Sequence, residues 1–361
     1  MANFRKVLVQ CISMVVSMRG LLAILIMLTS AMVNAHHSRS EYSGSPVIEI
    51  EGEVVEILWQ SPHVMISVKT LEADSSELIW ELEGSDAGTL GRRGLDASQI
   101  KLGDRVKAAG RVSARRGNWI ATSNILLPNN IEMVFGQTEP RWATEYRGGR
   151  LFQEPVSQAE KNNVEGIFRL WIRSVGTTYG VQEEPPLTDQ ARAAYESYDQ
   201  LKDDPVLECV LPGMPRVMTV VGYRPIEFEQ SGEDILLHSE NFNLTRTIYM
   251  NDAANLDEIE TTPLGYSTGE WEGSTLIVTT TNVSWPFFDM PPLIGIPQSD
   301  QVKIVERFTI DEIADTLTYD FWAYDPVNFT APIQQPNYMV WGYQPGQERE
   351  IDNCVEYAEV L

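Results

Sequence analysis

Between residues 47 and 127, apolar and polar positions alternate in short runs separated by turn residues, the pattern of strands with one buried and one wet face. Strands are predicted at 47–59, 64–70, 78–82, 105–112 and 119–126, with a helical or looped stretch at 86–93 after the third. That order fits a five-stranded barrel of the oligonucleotide/oligosaccharide-binding (OB) type. Lys101-Leu102-Gly103-Asp104 reads as the turn into the fourth strand, because glycine tolerates positive φ and aspartate bonds its neighbouring backbone.

Residues 136–187 change character. Pro140, Gly148-Gly149, Pro155 and Pro185-Pro186 break a polar stretch that encloses one apolar piece at 164–175. It reads as a linker that packs on the second domain. A helix is predicted over 187–202, with Thr188 as N-cap and Pro205 beyond its end. Alternation then returns at 226–230, 234–239, 243–250, 267–272, 275–281, 302–310 and 316–324, with Glu272-Gly273-Ser274 as a hairpin turn. Sequential strands of this kind predict an antiparallel lipocalin-like barrel or strongly curved sheet. The chain is therefore expected to be mainly β, with a small barrel at 36–135, a linker at 136–187, and a helix plus larger β domain at 188–361.

The first 35 residues carry a different signal. Arg5, Lys6 and Arg19 precede or flank an apolar run at 21–28, and Val33-Asn34-Ala35 supplies small residues for cleavage. This is the pattern of a cleavable secretory signal peptide, so a periplasmic or secreted protein beginning at His36 is expected. Translation from either Met1 or Met18 preserves it. The apolar run falls short of the roughly 20 residues that span a bilayer, and no later segment replaces it. Cleavage removes three cations and no acid, which moves the formal charge from −24 to −27. Such a charge argues against nucleic acid and anionic membrane surfaces as partners. Of three cysteines, Cys209 and Cys354 remain after cleavage, a pair that in an oxidising compartment is expected to form a disulfide.

Candidate chemistry is sparse. The chain has four histidines, His36, His37, His63 and His238. A free α-amine on His36, with imidazoles from His37 and His63, would suit copper, the tightest-binding of the common divalent ions at nitrogen ligands. The other reading is an incidental terminus and a His63 bonded to a backbone carbonyl. In the larger β domain, Glu240, Arg246, Glu270, Glu306 and Arg307 are candidates to face inward, with Trp271 as an aromatic neighbour. Paired arginine and glutamate there would bind a polar small molecule or support acid/base work in an isomerase, lyase or hydrolase. Surface ion pairs are the alternative. Period two allows only one of Glu306 and Arg307 to point inward. Trp285, Phe287, Phe288, Trp322, Tyr324, Phe329, Tyr338, Trp341 and Tyr343 are either core or a stacking platform, and the stiff segment Pro291-Pro292 with Gly295-Ile296-Pro297 could cover a barrel mouth.

No nucleophile elbow, phosphate loop, His-Glu-x-x-His or Cys-x-x-Cys is present. A binding protein for a small molecule, copper or both is the leading expectation. An enzyme and a ligand-free assembly partner are its rivals.

Ala35-His36-His37-Ser38, Gly52-Glu53-Val54-Val55, Trp59 with Pro62-His63, Leu90-Gly91-Arg92-Arg93-Gly94 and Leu102-Gly103-Asp104-Arg105-Val106 together resemble a bacterial exported family of unknown function. Ser61 stands where that family has Asn. The resemblance covers residues 36 to about 128 and implies export and fold rather than chemistry. The second half is similar to an uncharacterised domain found behind it. That likeness rests on Pro186-Leu187-Thr188, Cys209 to Arg216, Arg246 to Met250, Gly269 to Leu276 and Val305 to Phe308.

Overall fold

The computed structural model describes residues 39–60, 63–72, 74–136, 138–149, 166–173, 184–208, 210–219, 225–240, 243–251, 258–290, 293–313, 315–343 and 345–349. The expected leader at 1–35, His36, His37, the pair Cys209 and Cys354, and Pro291-Pro292 lie outside these residues.

The chain is mainly β. A 3-10 turn at Arg39–Tyr42 leads into β1 (Val47–Leu58), β2 (Met65–Leu71) and β3 (Glu77–Glu83). A short helix α1 (Ala87–Gly91) precedes β4 (Arg105–Val112), β5 (Trp119–Leu126), β6 (Glu132–Val134) and β7 (Tyr146–Gly148). Antiparallel pairing joins β2 to β3, β1 to both β2 and β4, and β4 to β5. A parallel pairing of 81–83 with 119–121 then joins β3 to β5 and closes five strands into the expected OB-type ring.

The length and bend of β1 make this closure possible. Its first half pairs with β4 and its second with β2, and a bulge between Val54 and Glu56 turns it from one to the other. Gly52 lies at the crossing, where an added Cβ would stand 2.3 Å from the Lys69 carbonyl oxygen. Val54, Ile66, Val68, Leu82, Val106 and Ile120 form the heart of this core.

Beyond the ring, β6 extends the sheet and carries the buried Glu132. Its carboxylate accepts the backbone N–H groups of Arg141 (2.6 Å), Trp142 (2.8 Å) and Ala143 (2.9 Å) and the Asn124 amide (2.7 Å). Burial alone would raise its pKa, but these donors outweigh burial and hold the carboxyl below its ordinary range. A lowered folded-state pKa gives stability that is fully present above the unfolded value of about 4.3 and is lost as pH falls through the folded value. Glu132→Gln should therefore destabilise the protein at pH 7, with the gap to wild type narrowing below pH ~4 as wild type loses the same contribution. Urea unfolding of both proteins across this range checks it; a gap independent of pH would refute the assignment.

The second core is a closed nine-stranded barrel. Its elements are β8 (Leu170–Arg173), α2 (Asp189–Ser197), α3 (Arg216–Thr219), β9 (Ile226–Ser231), β10 (Asp234–Ser239) and β11 (Leu244–Tyr249). They are followed by β12 (Tyr266–Glu272), β13 (Thr275–Thr281), β14 (Phe287–Met290) and β15 (Leu293–Pro297). β16 (Lys303–Asp311), β17 (Thr316–Tyr324) and β18 (Ile333–Tyr343) complete the chain order. Around the barrel the order is β10-β11-β12-β13-β16-β17-β18-β8-β9.

Three features depart from the sequence expectation. β7 and β8 come from the segment expected to be a linker, and each joins a sheet. β11 and β12 run parallel, paired only at Ile248 with Ser267 and at Tyr249 with Thr268, so the barrel is not antiparallel throughout. The helix capped by Thr188, whose hydroxyl accepts Ala191 N–H at 3.3 Å, ends at Ser197 because Tyr198 adopts an extended ψ of 123°. The hairpin turn at Gly273 is as expected, with Glu272 opposite Thr275 and a glycine φ of +61°.

β14 and β15 form a separate hairpin that packs on the barrel together with α2 and α3. Tyr198 meets Phe287 edge-on at 5.1 Å, Phe288 meets Phe329 at 5.3 Å, and the Tyr338 hydroxyl donates to the Thr219 carbonyl at 3.2 Å.

Candidate functional site

Barrel strands alternate inward and outward residues, which decides the fate of most polar candidates. On β16, Ile304, Glu306, Phe308 and Ile310 are buried, so Glu306 faces the interior while Arg307 faces out and pairs with Glu272 at 2.9 Å. On β12, Ser267 is the buried position, which puts Glu270 on the outer face; Trp271 is 44% exposed where the strand runs into its turn. Glu240, one residue beyond β10, leaves the barrel and pairs with Arg92 of the first unit. Of the six sequence candidates, Arg246 and Glu306 are brought together.

The Arg246 guanidinium spends every donor. Nε donates to Ser267 Oγ (2.9 Å), Nη2 to Thr280 Oγ1 (2.9 Å) and to Glu306 Oε2, and Nη1 to Glu306 Oε1 (3.1 Å) and, weakly, to Met214 Sδ (3.5 Å). The Tyr319 hydroxyl completes the carboxylate by donating to Glu306 Oε1 at 3.0 Å. Burial, and then the carboxylate beside it, pushes the Tyr319 phenol well above its ordinary range. Phe308, Phe321, Tyr338 and Trp341 pack around the Tyr319 ring at centroid distances of 5.0–6.4 Å. A fully bonded ion pair inside aromatic packing is chemistry that holds a barrel shut. The aromatic residues behave here as core.

Met214 connects this network to a second one. Its carbonyl accepts from Gln298 Nε2 at 2.9 Å, and two residues on, Arg216 bridges Asp204 and Asp289 with three bonds of 2.9 Å. Asp289 also accepts Gly295 N–H at 2.7 Å, so the arginine ties α3 to the β14–β15 hairpin. Burial raises the Asp289 carboxyl despite the arginine. Sequence reasoning passed over this triad. Its signal was a lone carboxylate within Trp285-Pro286-Phe287-Phe288-Asp289-Met290, where an acid among apolar residues demands a buried partner.

The third cluster lies on the first barrel. Glu83 ends β3 and uses its two oxygens differently. Oε2 accepts from Tyr42 OH (2.6 Å), Arg116 Nη2 (2.8 Å) and Trp119 Nε1 (2.8 Å). Oε1 stands 3.4 Å from His63 Nδ1, which is 3.1 Å from the Gly84 carbonyl. Burial opposes ionisation of Glu83, but His63 and Arg116, with the Tyr42 bond, hold its pKa down at about 2. Tyr42 moves the other way, pushed far up by burial and then by Glu83.

Arg116 stacks on Trp119 at 3.7 Å and forks onto Glu41, whose Oε2 also accepts from Ser113 at 2.5 Å. Residues 41 and 42 are thereby fixed beside His63. Because a carbonyl only accepts, the His63 bond to Gly84 places a proton on Nδ1, and in the neutral ring the lone pair is then on Nε2. Among the described residues, no group of three or more His, Cys, Asp or Glu side chains converges as a metal site. His238 bonds Thr245 at 2.9 Å and Glu229 at 3.0 Å, an arrangement without a serine nucleophile.

Residues 24–122 match a family described as of unknown function (DUF6152), about a quarter of the chain. No curated protein and no solved structure matches.

Proposed function

We propose that this chain is an exported binding protein that holds copper at the rim of the first barrel, through His63 Nε2 and the amine and imidazoles of His36 and His37. The observation that carries the reading is the backing of His63. A carbonyl and a carboxylate behind Nδ1 fix the tautomer and ring orientation, the support that metal-binding imidazoles use.

Chain reach supports it. Glu41 is anchored through Arg116 to the same cluster, and His37 and His36 are four and five residues upstream, no farther than about 14–18 Å along an extended chain. The second barrel, with its saturated ion pair and aromatic packing, serves in this reading as scaffold rather than carrier.

Copper(II) titration of mature protein with a native His36 terminus tests the proposal, followed by the visible d–d absorption. One equivalent should bind, and His63→Ala or an extra N-terminal Met should each weaken binding by at least about tenfold. Unchanged affinity in both variants would overturn it.

A further inference from the structure

The Leu90-Gly91-Arg92-Arg93-Gly94 segment is left unused by the copper reading, and the fold gives it a distinct task. Leu90 and Leu95 are both fully buried in the first core, and the turn between them is fixed by Arg92 N–H on Gly88 O (2.9 Å), Arg93 N–H on Leu90 O (2.9 Å) and Leu95 N–H on Leu90 O (3.0 Å). Gly94 closes the turn at φ +76°, a left-handed value that suits glycine. Asp86 caps α1 through Thr89 N–H at 2.7 Å. The two arginines leave this rigid turn in different directions. Arg93 returns to its own unit, donating to the Gly149 carbonyl at 3.0 Å. Arg92 crosses to the second barrel.

There Arg92 meets a carboxylate end-on. Nη1 donates to Glu240 Oε2 at 2.9 Å and Nη2 to Glu240 Oε1 at 2.5 Å, while Nη2 also reaches the Glu348 carbonyl at 3.0 Å. The side chains are 6% and 1% exposed, so water screens the pair little. Glu240 is itself positioned, its N–H on the Pro225 carbonyl (3.2 Å) and its own carbonyl accepting Asn243 N–H (3.2 Å). Parallel N–H···O bonds from a planar fork select carboxylate geometry. This end-on contact uses Nη1 and Nη2 and leaves Arg92 Nε buried without an acceptor.

We propose that Arg92 is a carboxylate-binding site on the first barrel, filled in this chain by Glu240, and that its filling docks the two barrels. Removing the Glu240 carboxylate then leaves a site that a small carboxylate re-enters.

The test uses the full chain. Glu240→Ala should lower Tm, and acetate should restore part of the loss relative to chloride at equal ionic strength. Wild type and the Arg92→Ala/Glu240→Ala double variant should show no such difference. The double variant should lose less Tm than the two single losses together, and the reversed pair Arg92→Glu/Glu240→Arg should recover part of either loss. Should Glu240→Ala not fold, Glu240→Gln carries the same coupling comparison with Arg92→Ala. An acetate response that persists without Arg92, or single losses that simply add, would overturn the proposal.

Discussion

Arg246→Ala should destabilise the protein by about 3–5 kcal/mol, the cost of leaving a buried carboxylate without its cation. Glu306 would keep the Tyr319 hydroxyl at 3.0 Å and a long Thr280 contact at 3.5 Å, too little to hold a charge away from water. The damage should also have an address. Main-chain pairing between β11 and β12 is confined to two residue pairs, and Arg246 reaches from β11 to Ser267 on β12, Thr280 on β13 and Glu306 on β16. The guanidinium therefore bridges the barrel at a seam where the backbone ladder is only two pairs long, as it is between β8 and β9. Amide exchange in the variant should accelerate first in β11 and β12, before β16 and β17, which share nine register pairs. The variant Arg246→Met/Glu306→Leu should recover much of the loss, because apolar replacement of both partners removes the stranded charge. A loss under about 1 kcal/mol, or uniform exchange, would show that the pair does not close the seam.

Several strands were legible to the residue, while β16, whose alternation is as regular as that of β17, lies one position along from its expected bounds. β4, β5, β10, β13 and β17 have the bounds their patterns predict, and β17 alternates buried and half-buried positions until its exposed end. β6, β7, β8, β14 and β15 contain only three to five residues each, too few for a period to register. β18 is long but escaped for another reason. Pro336 and Asn337 (φ +50°) sit at a register shift opposite Tyr319 and Phe321, which breaks its alternation.

The polar sites were legible only in part. Periodicity fixed that Glu306 and Arg307 face opposite ways, but not which faces in, and Glu270 fell on the outer face by the same rule. What no local pattern encodes is partnership across the chain. Arg116 finds Glu41 and Glu83, Arg92 finds Glu240, and Arg216 finds Asp204 and Asp289, each through contacts that exist only once distant strands and turns are set. His63 was singled out for its type and its neighbour Pro62. Its backing by Glu83 and Gly84 depends on the β2–β3 pairing that brings Met65 opposite Glu83.

Arg216→Met should cost a similar amount at neutral pH, about 3–5 kcal/mol, and its pH dependence distinguishes it from a simple packing defect. Without the guanidinium, Asp204 and Asp289 face one another as fully buried carboxylates. Asp289 is already raised by burial with the arginine present, so removing the cation raises it further. A carboxyl whose folded pKa lies above its unfolded value destabilises the fold when ionised, and that penalty disappears as pH falls toward the unfolded value of about 3.9. The deficit of Arg216→Met against wild type should therefore be largest at pH 7 and already smaller at pH 5, a narrowing that sets in above the pH range in which an ordinary ion pair loses its carboxylate charge. Urea unfolding at the two pH values measures it. Exchange should rise in β14, β15 and α3, because Asp289 and Arg216 join the hairpin to the helix. A deficit equal at both pH values would mean that the arginine acts through its packing alone.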